Sequence, residues 1–305
     1  MTHLVLIGHG RWGKSIERTL QHFTDVSVTI VGRGEFPPRD VDGVIIATPI
    51  STHLDLALPF IERGTPTFIE KPVTASIEEV KQLRAAAEKS DALVHVGHIH
   101  LHNPAFIQAK AMVPTLGRIR YLLFEGMNNG PFHADVSVLW DWLPHPLSMA
   151  LSFLCAEPVS VQAWGINILR CQVPDLHDFG IARFEFESAS LVCTVNWLSP
   201  EKRTKMTIVG EHSSLVHTDT DLQKLALYYG MGPRVDGMRV SHQVPSIEYP
   251  EYESGWPLER ELRAFIDAIQ AGSRDRSGLA LGARIVNLIA AAHSSIQNNG
   301  QIVAC

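Results

Sequence analysis

This chain predicts an α/β fold in two parts: an N-terminal Rossmann-type, doubly wound parallel sheet, then an open, mostly antiparallel α+β sheet. Three observations point that way. A glycine-rich turn, Gly8-His9-Gly10-Arg11-Trp12-Gly13, follows directly on the apolar run Leu4-Val5-Leu6-Ile7. Short apolar runs then alternate with helix-like stretches to about residue 115, the pattern of parallel strands joined by crossover helices. Beyond Gly117 the runs lengthen and become rich in β-branched and aromatic residues with few helices between them, which suits antiparallel pairing. The expected division is a first domain over 1–117 and a second over 118–305, with the last helix, 279–297, packing back on the first.

The opening run reads as a buried strand at 4–7, and each glycine after it has a separate task. Gly8 makes the tight turn, Gly10 lets backbone approach a phosphate, and Gly13 lets the following helix lie close to the strand. The N–H groups at that helix start favour an anion, so the turn reads as a seat for a dinucleotide pyrophosphate. Further strands fall at 26–31, 44–47, 67–69 and 93–96, with a helix over 77–89. Bounded by Gly, Pro and Thr, these are the strands of a sheet covered on both faces.

Two further segments sit where such a sheet binds ligands, at the carboxyl ends of its strands. Thr48-Pro49-Ile50-Ser51-Thr52-His53 follows the third strand and Glu70-Lys71-Pro72 the fourth. A lysine there, beside a stiffening proline, is placed for a substrate or the nicotinamide ribose. At the end of the second strand Val31-Gly32-Arg33-Gly34 offers a cation and no carboxylate, and an arginine there accepts a 2′-phosphate. NADP is therefore favoured over NAD, with NAD use left open.

In the second part, strands are expected at 118–124, 159–164, 181–186, 191–198 and 205–209, helices at 258–270 and 279–297, and a long loop over 230–255. Asp141 and His145 stand four residues apart just before the helical run 147–154, which puts both on one face of a helix's first turn. Pro144 and Pro146 suit only a helix start, since neither donates a backbone hydrogen bond. A carboxylate beside an imidazole orients it and supports its charged form, the arrangement of a general base or acid. An N-capping Asp with an incidental His fits the same spacing.

Composition excludes several classes. A net charge of −6 with 45% hydrophobic and 19% charged residues gives no general attraction to nucleic acid or anionic membranes. The start lacks a basic, cleavable leader, and no apolar stretch is expected to approach the roughly 18 residues of a membrane span, so a cytoplasmic location is expected. Four cysteines, Cys155, Cys171, Cys193 and Cys305, have no C-x-x-C spacing and read as buried thiols. Among 15 histidines, His98, His100 and His102 alternate, yet no carboxylate or cysteine is placed to complete a metal site, and no metal is expected.

Taken in order, G-H-G-R-W-G, A-T-P-I-S-T-H, E-K-P and D-x-x-x-H resemble the Gfo/Idh/MocA oxidoreductases over almost the whole chain. The resemblance implies a Rossmann domain followed by an open sheet, with the catalytic set Lys71, Asp141 and His145. Cofactor contacts are expected from Gly8, Gly10, Arg11, Trp12, Gly13, Arg33, Thr48, Pro49, His53, Glu70 and Lys71, and substrate contacts from Lys71, Asp141 and His145 with Asn103, Asn128 and Trp164 near the face of the second sheet. The segments 138–145, 196–200 and 206–210 look most like the branch acting on nucleotide sugars at C3. Two positions depart: Ser148 stands where many members carry an Asp, and the acidic residue expected after the second strand is missing.

The expected activity is hydride transfer between nicotinamide and a carbinol carbon of a sugar, nucleotide sugar or cyclitol, with no nucleic acid or membrane partner. A homodimer or homotetramer is expected, because an open sheet needs cover for its apolar face. The alternatives are a non-catalytic NAD(P)-sensing regulator of the same fold, or a reductase of imines or other substrates within the family.

Overall fold

The computed structural model describes the chain apart from residues 36, 39, 134, 170–172, 174, 231, 232, 237, 238 and 243, and only the backbone of 233–236 and 239–242. In chain order the elements begin β1 (Thr2–Ile7), α1 (Arg11–Leu20), β2 (Val26–Val31), β3 (Gly43–Ile46), α2 (His53–Glu62), β4 (Thr67–Glu70), α3 (Ile77–Ser90) and β5 (Val94–Gly97). They continue with α4 (Pro104–Met112), β6 (Ile119–Asn129), α5 (Val138–Trp142), α6 (Pro144–Leu154), β7 (Ser160–Ile166), β8 (Phe179–Glu185), β9 (Ser190–Asn196) and β10 (Leu198–Gly210). The remainder is β11 (Ser213–Thr218), β12 (Leu225–Tyr229), β13 (Pro233–Asp236), β14 (Arg239–His242), β15 (Ser246–Glu248), α7 (Pro257–Gln270), α8 (Ser277–Gln297) and β16 (Val303–Ala304).

Two compact units result: Met1–Asn103 with Gly255–Ala290, and Pro104–Ser254 with Ala291–Cys305. Thus α7 and most of α8 belong to the first unit and α4 to the second, unlike a single cut at residue 117.

In the first unit the five strands run parallel in the order β2-β1-β3-β4-β5. Every residue of β3 and β4 is buried, as a sheet with helices on both faces requires. Leu4, Leu6, Ile45 and Phe68 of the sheet, Ile16 and Leu20 of α1, and Leu262, Phe265 and Ile266 of α7 make one core cluster. α2 and α3 pack on each other, and α2 also lies against β3 and β4. α3 starts sharply because the Ser76 hydroxyl accepts the Glu79 N–H at 3.2 Å and the Glu79 carboxylate takes the Ala75 N–H at 2.9 Å, a near relative of the capping box.

Two glycines about the turn between β1 and α1, Gly8 and Gly13, leave no room for a side chain. Gly8 has φ +100°, and a Cβ on it would lie 2.4 Å from the Ala47 carbonyl oxygen. A Cβ on Gly13 would lie 2.0 Å from the Gly8 carbonyl oxygen, so glycine at both places sets how closely α1 rests on β1.

The second unit is built on nine strands in the order β15-β12-β11-β10-β6-β9-β8-β7-β16. All pairings are antiparallel except β6 with β9, which is parallel. Burial alternates along β8 and β9, the period of a sheet with one face on a core. α6, with buried Leu147, Met149, Ala150, Leu151 and Phe153, belongs to that core.

Three expectations are corrected. The span 230–255 is not simply a loop: β13 and β14 form a hairpin, and β15 pairs with β12. Strand pairing needs only backbone donors and acceptors, and the exposed β15 carries no apolar signature. α8, at 21 residues, is the one helix among the described residues long and apolar enough to cross a membrane. Its buried Leu279, Ala283, Ile285, Val286, Leu288, Ile289 and Ala292 give it the pattern of a core helix. Among the described cysteines only Cys193 is buried; Cys155, which caps α6 in a left-handed conformation, and Cys305 are exposed, and Cys171 lies outside the described residues.

α7 is tied to the start of β2 by Arg263, which donates to both oxygens of Asp25 at 2.8 and 2.9 Å while lying over the Phe23 ring. Gln270 adds a bond to the same carboxylate at 3.0 Å. Bonds from Arg263 first, then Gln270, hold the Asp25 carboxyl well below the usual carboxylate range. A depressed carboxyl stabilises the fold above its unfolded pKa, about 3.9, and that contribution is lost as pH falls below it. Asp25→Asn should therefore lower the urea midpoint at pH 7, with the gap from the parent narrowing once pH drops below about 4. Gly13→Ala should cost on the order of 1–3 kcal/mol from overpacking, read as a lower urea midpoint with an unchanged slope.

Candidate active site

A cleft of about 620 Å³ opens at the carboxyl ends of β1, β2 and β3, lined among others by Gly8, Gly10, Arg33, Glu35, Thr48 and Pro49. It lies where the strand order reverses about β1, the place where such sheets hold ligands. At its floor α1 begins with Gly10 as an extended N-cap that has no side chain to occupy the first N–H groups. A Cβ at Gly10 would meet nothing within 4 Å, so the space above that backbone is open. An uncapped helix start, a glycine cradle and a cleft of this size together fit a dinucleotide.

The other cofactor residues named from the sequence lie outside that lining. Arg11 is exposed at the first position of α1. Trp12 donates its Nε1–H to Glu70 Oε1 at 2.5 Å, joining α1 to β4. His53 is buried, with Nε2 at 2.9 Å from the Thr48 carbonyl oxygen and Nδ1 at 3.0 Å from that of Pro72. It ties the loop after β3 to the loop after β4. Burial pushes its pKa down, while the two carbonyls favour the imidazolium, the only form that donates to both.

Lys71 is half-buried at the end of β4, and its backbone N–H donates to Glu70 Oε2 at 3.2 Å. The Lys71–Pro72 peptide is cis. Burial, followed by the Glu261 charge, pushes the Glu70 carboxyl up to about 7 against the Trp12 and Lys71 contacts.

No carboxylate stands at the end of β2 itself, but one follows it in the cleft lining. Glu35 folds back so that its Oε2 accepts the Gly32 N–H at 2.6 Å within the cleft lining. It comes four residues after Val31, beyond the strand end where a spacing rule looks. Arg33 is exposed in the same lining.

In the second unit Asp141 lies on α5 and His145 on α6, not on one helix as the spacing suggested. The intervening Leu143 keeps helical angles, and its N–H still bonds Leu139 O at 2.9 Å, so the two residues remain one turn apart. Pro144 opens α6 as expected. α5 lies close on the sheet: a Cβ at Gly126 of β6 would stand 2.5 Å from the Trp142 ring.

Asp141 Oδ2 accepts the Nε1–H of Trp197, a fully buried ring, at 3.1 Å. His133 Nε2 lies 4.0 Å from the same oxygen. The His145 ring meets Trp142 edge-on at 5.9 Å, and its backbone carbonyl accepts the Ser148 hydroxyl at 2.8 Å. Sequence reasoning missed Trp197 and His133 as partners of this carboxylate. In the sequence the stretch 196–200 stands out only by its likeness to the family.

The named substrate residues are spread out. Asn103 is buried, closing the short 3₁₀ turn Ile99–His102 in the first unit. Asn128 stands on β6 with its Oδ1 shut off from solvent. Trp164, on β7, is three strand spacings from β6, roughly 14 Å, and packs over Gly300.

Comparison with known proteins agrees with this fold. Residues 23–98 match an oxidoreductase family with an NAD-binding Rossmann fold, and residues 114–216 match the GFO/IDH/MocA C-terminal domain. UDP-N-acetylglucosamine 3-dehydrogenase of Acidithiobacillus ferrooxidans is 27% identical over 238 residues, 76% of this chain and 71% of that one. The scyllo-inositol 2-dehydrogenase (NAD(+)) of Bacillus subtilis is 37% identical over 132 residues, 41% of this chain and 39% of its own. A crystal structure of an inositol dehydrogenase homolog from Azotobacter vinelandii, complexed with NADH and myo-inositol, has the same fold, with a TM-score of 0.79 at 18% identity, covering 100% of this chain and 97% of that one. With both family domains matched in order, the chain belongs to the Gfo/Idh/MocA oxidoreductases and carries their NAD-binding Rossmann fold.

Proposed function

We propose that this protein is an NAD(P)-dependent dehydrogenase acting on a carbinol carbon of a sugar, nucleotide sugar or cyclitol. The observation that carries the reading is the position of Lys71 at the carboxyl end of β4, the strand edge that also holds the glycine-rich turn and the Thr48–Pro49 loop. The relatives named above support the substrate class, since their names describe oxidation of a nucleotide sugar or an inositol.

A nicotinamide cofactor held along this strand edge would supply the hydride chemistry. In the oxidation direction His145 takes the hydroxyl proton, Asp141 orients the imidazole and favours its charged form, and Lys71 polarises the reacting oxygen. The reverse assignment of Lys71 and His145 satisfies the same proton balance. The Trp197 N–H keeps Asp141 in place, and Ser148, bonded to the His145 backbone, takes the position of the Asp found in many family members.

For the cofactor we infer NADP use through Arg33, with NAD also accepted because the Glu35 carboxylate in the same cleft suits a ribose hydroxyl. The protein is further inferred to be a cytoplasmic homodimer or homotetramer. Exposed Tyr121 on β6 and Trp164 and Ile166 on β7 support an assembly surface on the sheet.

Lys71→Ala should lower kcat about 10²–10⁴-fold while the Kd for NADPH, followed by fluorescence, stays within a few-fold of the parent. Normal turnover in that variant would remove the mechanism. Arg33→Ala should shift the NADP-to-NAD ratio of kcat/KM toward NAD by about tenfold, and Glu35→Gln should shift it the opposite way. Ratios unmoved in both variants would show that neither side chain reads the ribose.

A further inference from the structure

Deep in the first unit, beyond the residues assigned to hydride transfer, two imidazoles and a carboxylate converge. His95 lies on β5, His102 ends the 3₁₀ turn Ile99–His102, and Glu261 lies on α7. One ligand atom from each falls within 4.8 Å of the other two. His95 Nε2 stands 3.8 Å from Glu261 Oε1. The His95 ring is held by stacking on Phe68 at 5.0 Å, with the His102 ring 5.7 Å away.

Glu261 is fully buried, and neither of its carboxylate oxygens has a hydrogen-bond partner. The backbone N–H of His98 favours its charged form without reaching bonding geometry. His95 Nε2 is likewise closed to solvent and unpartnered. Burying a carboxylate this way is costly unless something compensates it.

A proton is one remedy, but 3.8 Å is too long for a carboxyl-to-imidazole hydrogen bond. A divalent cation answers all three groups at once. Two imidazole nitrogens and one carboxylate oxygen form the His₂Glu donor set that binds zinc-type ions tetrahedrally, with a fourth position for water. Ligands about 2.0–2.2 Å from such an ion lie about 3.4 Å apart, so side-chain shifts under ~1 Å each would close the cluster. His102 is only partly buried, which gives an ion a way in.

We propose that His95, His102 and Glu261 form a divalent transition-metal site of the zinc type that ties α7 to β5 and the neighbouring 3₁₀ turn. It takes no part in proton or hydride transfer, and it stands whether or not the dehydrogenase reading does. The alternation of His98, His100 and His102 gave no sign of this site, which takes His95 in place of His98 and His100 and draws its carboxylate from Glu261, far along the chain.

The test uses the full chain, stripped with a chelator and titrated with Co(II), then Zn(II). Expected are a saturable visible Co(II) spectrum of tetrahedral intensity, its displacement by zinc, and a Tm rise of roughly 5 °C at a hundredfold excess over Kd. Glu261→Gln should weaken Co(II) binding by at least ~100-fold without lowering the Tm of the metal-free protein, since it removes a buried charge. His102→Asn, at a partly exposed position, should weaken binding similarly and decides the matter should the first variant not fold. A protein that develops no such spectrum, or whose binding survives these substitutions unchanged, would overturn the proposal.

Discussion

The carbonyl oxygen of Gly8 lies so close to Gly13 that no β-carbon fits between them, and much of the first unit depends on that contact. It presses the start of α1 against the end of β1 and so aims the uncapped N–H groups of the helix at the cleft. With α1 seated there, Ile16 and Leu20 reach the sheet and α7 packs beside them. α7 in turn brings Arg263 to Asp25 and Glu261 to His95. One close backbone approach thus sets both the ligand edge of the sheet and one of its covering faces.

Along that edge, side chains bind neighbouring loops together. Trp12 reaches from α1 to Glu70, and His53 spans the carbonyls of Thr48 and Pro72. These bonds lock the backbone on both sides of Lys71, which limits the lysine's freedom to its own side chain. The second unit treats its carboxylate similarly: Trp197, anchored in the core, holds Asp141 while helical geometry carries the chain on to His145. In each unit a buried ring that does no chemistry itself, His53 in the first and Trp197 in the second, supports the segment assigned to chemistry. This is the support a reacting group needs to stay in position.

Polar groups buried in the first unit answer to different demands. Glu70 shares its burden with the Trp12 N–H and the Lys71 backbone. Glu261 has no such bond. That contrast, between two carboxylates of one core, separates a group serving the ligand edge from one that calls for a cation.

The central strands of the parallel sheet were legible from residue order alone, because strands buried on both faces need unbroken apolar runs; the run at 4–7 falls within β1 and that at 44–47 overlaps β3. The glycine turn and the one-turn spacing of Asp141 and His145 were legible for a similar reason, since backbone period converts short spacings into geometry. Other features depended on packing between distant segments. Glu35 folding back on Gly32, Trp197 meeting Asp141, His53 serving as a tie and Glu261 arriving beside His95 and His102 leave no periodic trace. The hairpin and edge strand within 230–255 were hidden too, since strand pairing runs through backbone donors and acceptors and needs no apolar pattern. Short-range order follows from the dihedral repeat of the chain, whereas which side chains meet across it is decided only when the core closes.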